Sequence, residues 1–240
     1  LTMDGEWTPV REPLISNNRK RPNDRAPNQG YDLIEDVQLA DDPSSLHGLL
    51  LQTHGGGVDL WFAAAPEGGQ VFSATGLGLP GSLEQRMPMI LQRRMGDTNT
   101  FAAAYAPWKD SPQVNQVTFP STLGAGTIAK VEHTDGTDVV LSLPEPGELS
   151  AEGITLAGTL AAQCEVKGGY KFLLIGQSVQ IGDLDIKLES SSAVLFESVN
   201  DQVKMYNLDE RPIKGRVKTS AEGAWIDFEI NPSGKQVVSE

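Results

Sequence analysis

Side chains able to carry chemistry are sparse in this chain. Its 240 residues include three histidines, His47, His54 and His133, and one cysteine, Cys164. None of the histidines stands in an HxH or HExxH spacing that would bring two imidazoles to one metal. His47 and His54 are separated by an odd number of positions in one strand-like stretch, which directs them to opposite faces. His133 opens HTDGTD with Asp135 and Asp138, which lacks the full ligand set of a calcium loop and reads as a turn. Gly76, Gly78 and Gly81 spell GxGxxG in GLGLPG, but Pro80 sits inside the loop and no helix start follows, so no dinucleotide site is expected. His54-Gly55-Gly56-Gly57 and Gly176-Gln177-Ser178 look like pieces of a serine hydrolase. The second lacks the glycine two residues after the serine, where Gln180 stands, and lacks the following helix. Trp61 and Trp108 have the flat faces that suit a sugar ring, although core packing is the simpler account of each. Arg93 and Arg94 end a strand, so only one of them can face a given groove.

Composition limits the partners. Hydrophobic residues make up 39% and charged residues 21%, enough to bury a core. The net charge of −13 argues against nucleic acid and confines any polyanion contact to a local basic patch or to another domain. No run of apolar residues is long enough for a membrane-spanning helix. A single cysteine excludes a disulfide framework and a cysteine-based zinc cluster; within GTLAAQCEV it reads as a small buried hydrophobe. The opening LTMDGEWTP has neither initiator methionine nor signal-peptide pattern, and we expect a mature or excised piece of a longer polypeptide.

The elements that must position these residues are strands. Residues 1–30 are rich in Pro, Asn and charge, with Arg19, Lys20, Arg21 and Arg25 together, and read as an irregular arm or linker. Beyond Gly30, short alternating stretches such as VDLWFAAA, GQVFSATG, GTIAKVEHT and YKFLLIGQ are separated by Gly-rich turns, and no 3.6-residue amphipathic period is found. The expectation is an all-β, antiparallel β-sandwich with little helix, in two packed layers or subdomains: first strands over 31–112 and a carboxy-terminal sheet region over 113–240.

GYDLIEDVQ, then GVDLWFAAAPEGGQVFSATGLG, then MPMILQRRMGDTNTFAAAYAPW, and further on GITLAGTLAAQCEVKGGYKFLLIGQ follow a recognisable order. Together they resemble the carboxy-terminal β-sandwich region of heparinase II/III-like polysaccharide lyases, including alginate and oligoalginate lyases, over about Gly30 to Glu197. The resemblance implies cleavage of uronate-containing polysaccharide by β-elimination. A neutralised carboxylate acidifies the C5 proton, a Tyr or His removes it, and the glycosidic oxygen leaves. It implies that the main catalytic residues lie on a helical toroid domain of the same polypeptide, which has no counterpart here. The family's sandwich histidine and metal site match no position of this sequence, so no catalytic residue is assigned. No cofactor is expected, with room left for a structural divalent metal. The implied partners are an anionic polysaccharide or oligosaccharide and the toroid, in a bacterial periplasmic or secreted protein. On this reading Arg93, Arg94, Trp61, Trp108 and His54 are the candidate substrate-binding residues. The alternative is a non-catalytic carbohydrate-binding or structural β-sandwich; no carboxylate pair or triad in the spacing suggests a self-contained hydrolase.

Overall fold

Alternating apolar and polar residues place one face of each stretch in a core and the other toward water, and β-branched and aromatic side chains fit that pleated surface. The computed structural model describes residues 2–10, 34–42, 46–53, 55–62, 69–77, 85–94, 101–121, 126–199 and 202–238. His54, Gly78 to Gly81 and the basic arm residues Arg19, Lys20, Arg21 and Arg25 lie outside them. Among the described residues every regular element is a strand, and every pairing is antiparallel, as the alternation predicts. Among the described residues no helix is long and apolar enough to cross a membrane. The chain divides into two compact units, Leu1–Pro112 and Gln113–Glu240.

The first unit holds strands β1 (Thr2–Met3), β2 (Trp7–Pro9), β3 (Glu35–Ala40), β4 (Leu46–Thr53), β5 (Gly56–Phe62), β6 (Gln70–Leu77), β7 (Arg86–Arg93) and β8 (Ala103–Lys109). They form two four-stranded sheets, ordered β1-β4-β5-β8 and β2-β3-β6-β7. The core draws on both, joining Leu46, Leu60 and Phe62 to Ala40 and Val71, with Trp7 and Ile90 packed against them. Gly55 closes the β4–β5 hairpin at φ +97°, a left-handed conformation that glycine adopts without steric cost. On β5 the opposite-facing Asp59 and Trp61 are also buried, so this strand is covered on both faces.

The second unit holds β9 (Val114–Ser121), β10 (Thr127–His133), β11 (Gly136–Ala151), β12 (Ile154–Val166), β13 (Gly169–Ile181), β14 (Leu184–Val199), β15 (Gln202–Asn207), β16 (Ile213–Lys218), β17 (Ile226–Ile230) and β18 (Lys235–Val238). All ten belong to one sheet. The amino-terminal part of β14 pairs with β16 and its carboxy-terminal part with β15. The core is a single apolar cluster that includes Leu141, Leu156, Phe172, Ile186, Phe196 and Phe228. Two of the long strands, β12 and β13, exchange their inward and outward sets partway along. Along β13 the buried positions are Phe172, Leu174 and Gly176 up to the shift between Gly176 and Ser178, and Val179 after it. Because side chains alternate with period two, a one-residue bulge exchanges the inward and outward sets. Gly158 and Gly176 face each other there. A Cβ on Gly158 would lie 2.5 Å from the Ile175 carbonyl oxygen, and one on Gly176 would lie 2.6 Å from that of Ala157.

Candidate functional site

The positions singled out in the sequence fall into different surroundings. Arg93 ends β7 opposite Gln70 on β6. Its Nε donates to Gln70 Oε1 at 3.0 Å, Nη2 donates to the same oxygen, and the guanidinium lies 5.1 Å from the Phe72 ring centroid. Arg94 turns instead to Phe101, also at 5.1 Å, and burial lowers its guanidinium pKa from the ordinary value. Trp108 is half-buried opposite Gly57, and its indole N–H is enclosed with no acceptor among the described residues. Trp61 is only 5% exposed and stacks on the His47 ring, centroids 4.6 Å apart.

That stack belongs to a cluster the sequence reading missed. His47 Nδ1 lies 3.0 Å from Asp4 Oδ2, and Nε2 lies 3.3 Å from Oδ1 of the buried Asp59. Two carboxylates therefore flank the ring at its two nitrogens and hold its plane. The carboxylates sit at opposite nitrogens and do not converge on a common point. Among the described residues no group of three His, Cys, Asp or Glu side chains is arranged to hold a metal. The signal was hidden by a register shift between Leu49 and Leu51. The pairing of Thr53 with Gly56, continued without that shift, would set His47 opposite Phe62; with it, His47 meets Trp61.

His133 is committed as well. The Asp135 backbone N–H donates to Nδ1 at 3.2 Å, which leaves the hydrogen on Nε2 to donate to Asp138 Oδ1 at 3.0 Å. The Glu165 backbone N–H reaches the same oxygen at 3.1 Å. HTDGTD is therefore the β10–β11 turn, closed by the pairing of His133 with Gly136. Half-buried Cys164 is on the neighbouring strand, its thiol pushed up by burial and then by the Asp138 charge. Gly176-Gln177-Ser178 runs through β13 with no helix after it.

Two groups on the outward face of the second unit remain. Tyr206 donates to Glu197 Oε2 at 2.9 Å, and Lys171 Nζ approaches Oε1 at 3.0 Å. Hydrogen bonds from Lys171 and then Tyr206 hold the Glu197 carboxyl below the usual range. The bond to Glu197 raises both Lys171 and Tyr206. The second group is a transverse row set by register: Glu148, Ala157, Ser178, Lys187, Arg216 and Asp227, one from each of six strands. This row lines a groove of about 570 Å³, together with Gln177 and Glu189. Trp225 meets both cations of the row, with Lys187 Nζ 4.9 Å and Arg216 Cζ 4.6 Å from the ring centroid. Lys187 Nζ also lies 3.4 Å from Asp185. The row can donate through its cations and accept through its carboxylates.

No family model matches this chain, and neither a curated protein nor a solved structure matches it.

Proposed function

We propose that this chain is the β-sandwich portion of a polysaccharide lyase that cleaves uronate-containing polysaccharide by β-elimination, with the main catalytic residues on a helical toroid of the same polypeptide. The observation that carries the reading is the commitment of the two described histidines. His47 is held between Asp4 and Asp59, and His133 is tied into its own turn. Both rings are taken up by these partners, whereas a general base has to reach the proton it removes. The all-β architecture agrees with the resemblance, and the chain then forms a wall and support for chemistry carried elsewhere. The test is the intact mass of the natural polypeptide. A mass that includes a helical domain beyond these 240 residues is expected. A natural product of 25.8 kDa contradicts the proposal.

A second reading, a carbohydrate-binding β-sandwich, is favoured by one observation: an indole in contact with the two cations that line a polar groove in the second unit.

A further inference from the structure

We infer that the groove across β11, β12, β13, β14, β16 and β17 is a binding site for a neutral, hydroxyl-rich sugar segment, with Trp225 in contact with its two cations. The inference rests on the carbohydrate-binding reading and is independent of the lyase reading.

Three features select this ligand class. The first is size: about 570 Å³ falls within the range of about 300–1,000 Å³ usual for ligand pockets. The second is the kind of polar group. Sugar hydroxyls both donate and accept. Glu148, Glu189 and Asp227 accept from O–H groups, Lys187 and Arg216 donate to hydroxyl oxygens, and Gln177 and Ser178 do either. The third is charge. Two cations against three carboxylates leave the lining at −1, and Asp185 beside Lys187 adds a fourth carboxylate nearby. A uronate or sulfate entering this groove meets more like charge than opposite charge, on a chain whose net charge is already −13. A neutral ring meets no such penalty.

Trp225 gives the site its apolar element. It precedes β17, is half-exposed, and is fixed by the Lys187 and Arg216 side chains that the register places directly opposite each other. Cation–π contacts with two strand-borne cations hold the ring in place before a ligand arrives. A flat aromatic body with a polar N–H suits the C–H face and hydroxyl rim of a pyranose. The bland account of the same row is a solvated sheet face with alternating charges, and it predicts no affinity for sugars.

Isothermal titration of the full chain with hexasaccharides of glucose, mannose and N-acetylglucosamine, beside hexamers of mannuronate and guluronate, decides between the two. The expected result is binding of at least one neutral hexasaccharide that changes little with salt, since no net charge pairing is involved. Trp225→Ala and Arg216→Gln should each weaken it at least about tenfold. Arg216 lies on an exposed strand face, so its variant keeps the test open should Trp225→Ala unfold. Tyr206→Phe, which lies outside the row, should leave affinity unchanged. Neutral-sugar binding insensitive to both groove variants overturns the groove assignment while leaving the carbohydrate-binding reading intact. Tighter, salt-sensitive binding of the uronate hexamers, lost in the same variants, overturns the neutral class. No binding of any hexasaccharide overturns both the inference and the reading it rests on.

Discussion

Asn207 is 2% exposed, yet every polar atom of its side chain is engaged. Its Nδ2 donates to the carbonyls of Arg211 at 2.8 Å and Ile230 at 2.9 Å, and its Oδ1 accepts from the Asp209 backbone N–H at 2.7 Å. One side chain thus shapes the turn after β15 and ties it to the end of β17. Replacing a buried group while leaving its partners unpaired costs more than the bonds themselves contribute. Asn207→Leu should therefore destabilise the second unit by about 2–4 kcal/mol, read from the midpoint of urea unfolding. A change within experimental error contradicts this assignment. His47 was poorly legible in the sequence because its partners are remote: Asp4 lies 43 positions away and Asp59 lies 12. The sequence did carry HTDGTD as a turn, because there the partners are local. Trp225 was missed for the remote reason: Lys187, its cationic neighbour, arrives through strand pairing.

At the scale of the elements, alternation and turn residues were enough to predict strands, and ITLAGTLAAQCEV coincides with β12. Strand length was not legible. β13 runs through Gly176-Gln177-Ser178, and β14 joins two stretches that look separate, because a bulge absorbs residues that ordinarily punctuate a chain. The Gly158–Gly176 crossing is the physical reason such long strands can reverse their inward set. Valine normally favours a strand over glycine by up to about 1 kcal/mol. At Gly176 the added carbon meets the Ala157 carbonyl oxygen at 2.6 Å, so the sign should reverse. Gly176→Val is expected to cost about 1–3 kcal/mol in urea unfolding. Equal or greater stability would show that the strands do not cross so closely.

For the whole molecule, a net charge of −13 separates two kinds of sugar contact. An acidic chain has to meet a uronate polymer at a local basic patch or at another domain, whereas a neutral segment can be held by the mixed-charge row on the second unit. On the proposed reading the work is divided: this chain supports the site, and the elimination chemistry resides on the toroid. Formation of the unsaturated uronate product, followed by its ultraviolet absorbance on alginate and heparin, tests that division most directly. The full natural polypeptide should generate product, and the isolated 240-residue chain should generate none above buffer. Sustained product formation by the isolated chain, or none by the full polypeptide, would contradict it.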